Sequence, residues 1–179
     1  AIALALLLDK PSKLATAYNY KGLNYAARAE DTLALKYYFK GLDICRQLQD
    51  NNRMAVAFHN IGTSYFNLAN YPGALNYQQQ AAAIFDSLNH RPDLAGALNS
   101  IGVVYLSVGD YPKALDYYLK ALRIYEAEND QLKIGNILTN VGLVYDHLNN
   151  YPKALEYHFK ARDLSERSGD EYGLQNTLG

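Results

Sequence analysis

The 179-residue chain is poor in the residues from which most specialised sites are built. Its single cysteine, Cys45, excludes an internal disulfide framework and any multi-cysteine metal site. The helical spacing puts Cys45 on a core side, where a thiol behaves as a small, inert hydrophobe. Charge of one sign is missing as well: 17 Lys and Arg stand against 18 Asp and Glu, for a formal net charge of −1. Binders of phosphate backbones gather a basic excess on one face, so nucleic acid is not an expected partner. The opening apolar run, residues 1–8, is too short to cross a bilayer and has no basic residues before it, so neither membrane insertion nor a signal peptide is expected. Alternating strand patterns, linkers and low-complexity tracts are absent too, Gln78-Gln79-Gln80 being too short to count. What remains is 49% hydrophobic and 20% charged, enough for a core.

The order in the chain lies in a repeat. Gly22, Gly62, Gly102 and Gly142 are spaced 40 residues apart, as are Tyr25, Tyr65, Tyr105 and Tyr145. Ala34, Ala74, Ala114 and Ala154 keep the same step, with Tyr37, Tyr77, Tyr117 and Tyr157 three residues behind them. A fixed period in this range marks a solenoid whose units bury apolar faces only against their neighbours. The register divides the chain into repeats at 11–50, 51–90, 91–130 and 131–170, with 1–10 as the end of a preceding repeat and 171–179 as the start of another. This reads as a fragment of a larger protein. Its ends carry Leu4, Leu7, Leu8, Leu174 and Leu178, and self-association through them is expected.

Each repeat holds two helices. Phe58, Ile61, Gly62, Tyr65 and Leu68 recur at helical spacing and predict a first helix from about Arg53 to Ala69; Leu98 to Val108 and Leu138 to Leu148 repeat the stripe. The first repeat is weaker, since Lys21 and Arg28 fall where the others have aliphatic residues. Asn70-Tyr71-Pro72, Asp110-Tyr111-Pro112 and Asn150-Tyr151-Pro152 each combine an Asx turn with a proline preset for a helix start, so a second helix begins there. Glycine in mid-helix costs about 1 kcal/mol against alanine, so four in register need a reason. Close approach to Ala74 and Ala81 of the second helix supplies one, with Tyr65 and Tyr77 filling the wider gaps.

These residues resemble the tetratricopeptide-repeat family: Phe58, Ile61-Gly62, Tyr65, Ala74 and Ala81 match its pattern, as do Leu98, Ile101-Gly102, Tyr105, Ala114, Tyr118 and Ala121. The period departs from the family's ~34 residues. The proline expected at the end of the second helix is replaced by Arg46, Asp86, Glu126 and Glu166. Gln78 and His158 stand where the family has an aromatic. The longer helices are similar to the extended repeats of bacterial regulatory proteins, kinesin light chains and Leu-Gly-Asn adaptors. The resemblance implies an all-α, right-handed superhelix of antiparallel helix pairs, with the first helices lining a concave groove.

The groove face then consists of Asn19, Tyr20, Leu23 and Ala27; His59, Asn60, Thr63 and Asn67; Asn99, Ser100, Val103 and Ser107; and Asn136, Thr139, Asn140, Leu143 and His147. Amides and hydroxyls dominate it, and fixed charge is gathered on the second helices, at Lys36, Lys40, Lys113, Lys120, Arg123, Lys153 and Lys160. Asn offers both hydrogen-bonding roles without a charge to match, which suits the backbone of an extended peptide. In related repeats the Asn before the hydrophobic-Gly pair contacts peptide backbone, a role the resemblance carries to Asn60 and Asn140. No basic clamp for a peptide carboxylate is visible. His59, His90, His147 and His158 are scattered, and none pairs with a nucleophile or a second ligand at metal spacing, so no catalytic residue, metal site or cofactor is expected. The reading is a noncatalytic protein- or peptide-binding scaffold, the sensor or interaction region of a larger regulatory protein. A purely structural array that self-associates or spaces an output domain is the alternative. The expected compartment is the cytoplasm, with a periplasmic sensor region as the other setting.

Overall fold

A computed structural model describes residues 10–168. The runs 1–9 and 169–179, with the terminal leucines and the partial repeats assigned to them, lie outside the described residues. Among the described residues there is no strand. The helices are α1 Pro11–Ala26, α2 Asp31–Gln47, α3 Asn51–Asn67, α4 Tyr71–Ser87, α5 Arg91–Ser107, α6 Tyr111–Ala127, α7 Gln131–His147 and α8 Tyr151–Ser168. The described residues form two compact units that divide between His90 and Arg91, the first with α1 to α4 and the second with α5 to α8. Within each unit every helix packs on the next in sequence, which makes the fold an all-α stack of helix pairs.

Single residues at the turns do two jobs. The Asn70 N–H closes α3 by donating to the Tyr65 carbonyl at 2.8 Å, while its side chain opens α4 by accepting from the Gly73 N–H at 3.0 Å. Asp50 does the same with the Cys45 carbonyl (3.0 Å) and the Arg53 N–H (2.9 Å), and Asp110 with the Tyr105 carbonyl (2.9 Å) and the Lys113 N–H (3.3 Å). The residue before each is left-handed, Gln49 at φ 53°, Ala69 at 57° and Gly109 at 79°, as is Asn129 at 56° before the Asp130 cap of α7. This is a Schellman ending fused to an N-cap. It explains the period, since helices of 17 residues joined by three-residue turns repeat every 20, and a pair every 40. It also corrects a boundary. α3 starts at Asn51, two residues before the start predicted from the apolar stripe, because the Asp50 cap and not the first apolar residue decides where the helix begins.

The repeated alanines are buried, as are Ile61, Ile101 and Val141. The repeated glycines do face the second helix of their own pair, but the expected reason is corrected: what lies against them is a large side chain and not an alanine. A Cβ added to Gly22 would come within 2.4 Å of Tyr38, one at Gly62 within 2.8 Å of Gln78, one at Gly102 within 2.6 Å of Tyr118, and one at Gly142 within 2.6 Å of His158. The glycine makes a flat seat across which that side chain lies. The tyrosine columns form the next layer. Tyr25 stacks on Tyr37 at 5.3 Å, and Tyr65 on Tyr77, Tyr105 on Tyr117 and Tyr145 on Tyr157 at 5.5 Å between ring centres. Lysines close two of these stacks on both sides: Lys113 over Tyr105 and Lys120 over Tyr117, and Lys153 over Tyr145 and Lys160 over Tyr157. Lys21, out of place as an aliphatic, carries its ammonium 4.4 Å from the Tyr37 ring centre. The last members of the apolar stripes, Leu68, Val108 and Leu148, are exposed, because they fall in the turns that close their helices.

Candidate functional site

On the first helices of the first unit, α1 and α3, the two asparagines of the predicted face meet. Asn60 Nδ2 donates to Asn19 Oδ1 at 2.9 Å, and both side chains are part-buried. The second unit repeats this between α7 and α5, with Asn140 Nδ2 donating to Asn99 Oδ1 at 3.2 Å. With that bond made, Asn60 keeps its carbonyl oxygen as an acceptor and Asn19 its amino group as a donor.

Other predicted residues are turned partly inward. Gln78, 1% exposed, donates from Nε2 to the His59 carbonyl (3.1 Å) and to Thr63 Oγ1 (3.3 Å). With its amino group so used, its oxygen faces His59 Nδ1 at 2.9 Å, and that ring nitrogen therefore carries the proton. Gln78 thus satisfies at a buried site what the family's aromatic would leave apolar. Asn67 Nδ2 donates at 3.2 Å to Asp31 Oδ1, a carboxylate only 6% exposed at the start of α2. The hydroxyls mostly serve their own helices: Thr63 donates to the His59 carbonyl, Ser100 to that of Gly96, Ser107 to that of Val103, and Thr139 to that of Gly135. His147 is exposed and lies flat on Tyr111, ring centres 4.9 Å apart, while Asn136 and Tyr20 are exposed. Among the described residues no group of three potential ligands could hold a metal, and no helix is long and apolar enough to cross a membrane.

The first unit also holds an open cleft of about 320 Å³. Ala15, Thr16 and Asn19 of α1, Tyr38, Gly41 and Cys45 of α2, and Ala57 of α3 form its walls. Tyr20, Leu23 and Val56 stand at its mouth, 63%, 40% and 37% exposed. Burial pushes the Tyr38 phenol up to about 12 and raises the Cys45 thiol, so both are neutral. A signal was present in the repeat register: Cys45 aligns with Phe85 and Tyr125, and Gly41 with Ala81 and Ala121, so small residues coincide in one repeat.

A tetratricopeptide repeat family profile matches residues 93–167, and a second of the same description matches 54–85, together more than half of the chain. No match was found among curated proteins. Among solved structures, aspartyl phosphate phosphatase F from Bacillus subtilis is similar at 20% identity and a TM-score of 0.89, covering 94% of this chain and 44% of that one. A Rap protein complexed with Competence and Sporulation Factor has 20% identity and a TM-score of 0.85, covering 93% and 46%. A signal transduction ATPase with a tetratricopeptide repeat sensor, from Pyrococcus horikoshii, has 19% identity and a TM-score of 0.86, covering 94% and 26%. At these identities the likeness is one of fold, and the chain spans less than half the length of each of the three.

Proposed function

Because the chain belongs to the tetratricopeptide-repeat family, we propose that it is a noncatalytic interaction module that holds an extended protein segment on its first-helix face, as the sensor or interaction region of a larger regulatory protein. The observation that carries this reading is the recurrence of the paired asparagines, Asn60 on Asn19 and Asn140 on Asn99, at the same place in both units. Neutral donors and acceptors at a part-buried surface match backbone amides, and a charged partner is not required. The Rap protein's complex with Competence and Sporulation Factor, and the sensor role named for the Pyrococcus repeats, support it by analogy of fold. A noncatalytic role is further supported by the histidines, since His59 is tied to Gln78, His147 to Tyr111 and His158 to Asp146.

Self-association is the second reading, favoured by Leu155 and Phe159, both about half exposed on α8. Calorimetric titration of peptides selected from a display library separates the two. With Asn60→Ala and Asn140→Ala combined, affinity should fall by about 1 to 3 kcal/mol per lost amide at a dry site, and the wild-type affinity should change little with salt. Stability of the double variant is measured alongside, because Asn19 and Asn99 lose their donors. Unchanged affinity in a folded double variant removes the face from the account. Sedimentation showing an oligomer that Leu155→Lys with Phe159→Lys dissolves supports the second reading.

A further inference from the structure

We propose that the cleft of the first unit takes one aromatic side chain of the bound segment. This deepens the reading just given and rests on it. The second unit shows what fills such a space. There Tyr125 stands at the position of Cys45, buried, with its hydroxyl 3.7 Å from where a Cβ on Gly96 would lie; Gly96 is the counterpart of Thr16 in the cleft wall. Tyr125 thus reaches from the second helix of its pair across to the first. In the first unit Cys45 stops short, Gly41 replaces Ala121 and Ala57 replaces Ile137, and the space opens to the surface beside Asn19.

The size is at the small end of ligand pockets, about 300 to 1,000 Å³, and suits one ring better than a larger molecule. The lining carries no unpaired charge, since Arg53 is joined to Asp50. A charged side chain would enter at a desolvation cost with no partner, whereas a ring meets Tyr20, Leu23 and Val56 at the mouth and Ala15 and Ala57 within. Asn19 ties the cleft to the asparagine pair, so a backbone held by Asn60 and Asn19 would carry its side chain over the opening.

The test uses acetyl-Ala-Xaa-Ala-amide peptides with Xaa as Phe, Leu, Ser or Lys, and free p-cresol, titrated against the whole chain by amide chemical shifts. The Phe peptide should bind on the order of tenfold more tightly than the Ser peptide, as expected for burying an aromatic side chain, and should shift the Gly41 and Ala57 amides. Cys45→Tyr, which copies the second unit, should abolish that preference; Ala57→Ile, which copies Ile137, is the second filling variant should the first fail to fold. Equal binding of the Phe and Ser peptides, lost in Asn60→Ala, overturns the cleft and leaves the groove reading standing. A Phe preference that survives in Cys45→Tyr overturns it as well, as does p-cresol binding as tightly as the Phe peptide, which would make the occupant a free small molecule. Binding of the Phe peptide that is lost in Cys45→Tyr but indifferent to Asn60→Ala supports the cleft and counts against the groove. No binding by any peptide overturns both.

Discussion

Alanine in place of glycine should have different effects at two glycines of the same unit, Gly135 and the repeated Gly102. Helix propensity favours alanine over glycine by about 1 kcal/mol in a helix interior. At Gly135 nothing opposes it, since the added Cβ would meet only Leu164 Cδ2 at 3.8 Å, an ordinary contact. Gly135→Ala should therefore stabilise the chain by about 1 kcal/mol. At Gly102 the same methyl would lie 2.6 Å from Tyr118 Cε1 and 2.7 Å from Cδ1. Tyr118 is 0% exposed, so the ring has no free space to retreat into, and its hydroxyl is already buried without a partner. Overpacking of this kind costs about 1 to 3 kcal/mol, which cancels or exceeds the propensity gain and leaves Gly102→Ala neutral to about 2 kcal/mol destabilised. Gly142→Ala should fall between them. Its obstacle, His158, has a side chain 27% exposed and can swing away at the cost of its bond to Asp146. Urea unfolding followed by far-ultraviolet circular dichroism reads the order, with an unchanged m-value showing that the same surface unfolds in each variant. At this chain length 1 kcal/mol moves Tm by about 2 to 4 °C, well within measurement. Gly102→Ala as stabilising as Gly135→Ala would show that the seat under Tyr118 is not tight, and the account of the four glycines would fail with it.

The turns carry two further expectations. Ala69 holds φ 57° where Gly109 holds 79° in the equivalent turn, so Ala69→Gly should stabilise by about 0.5 to 1 kcal/mol net of the entropy that glycine adds to the unfolded chain, and Gly109→Ala should do the reverse in the same unfolding assay. Asp50 is held below the usual carboxylate value of 3.8, first by the Arg53 N–H and then by the Arg53 guanidinium. A depressed folded-state value stabilises above the unfolded pKa and is lost as pH falls through the folded one, so the advantage of wild type over Asp50→Asn should be flat at neutral pH and shrink below about pH 4. An advantage that persists at pH 2 would place the effect elsewhere.

Much of this molecule was legible in the chain because the deciding interactions are local. The helix pairs follow from apolar spacing and from Asx and proline positions, the 40-residue period and the tetratricopeptide-repeat resemblance from recurring residues such as Gly62, Tyr65, Ala74 and Ala81, and the turns that enforce the pairs are made by residues within five positions of one another, such as Asn70 with Tyr65 and Gly73. The tyrosine stacks are local in the same sense, each pairing residues 12 apart across a single turn. That neutral polar residues recur on one side of the first helices was legible in the chain, but how they pair with one another was not. Asn60 finds Asn19, and Asn140 finds Asn99, across 41 residues, so their contact depends on how whole helices pack. The seat of each glycine was also decided in three dimensions: sequence pointed to alanine as the neighbour, and packing put Tyr38, Gln78, Tyr118 and His158 there. The cleft is the furthest from local control. Cys45, Gly41 and Ala57 are each small residues in their own helices, and only the packing of α1, α2 and α3 adds their missing volumes into one space.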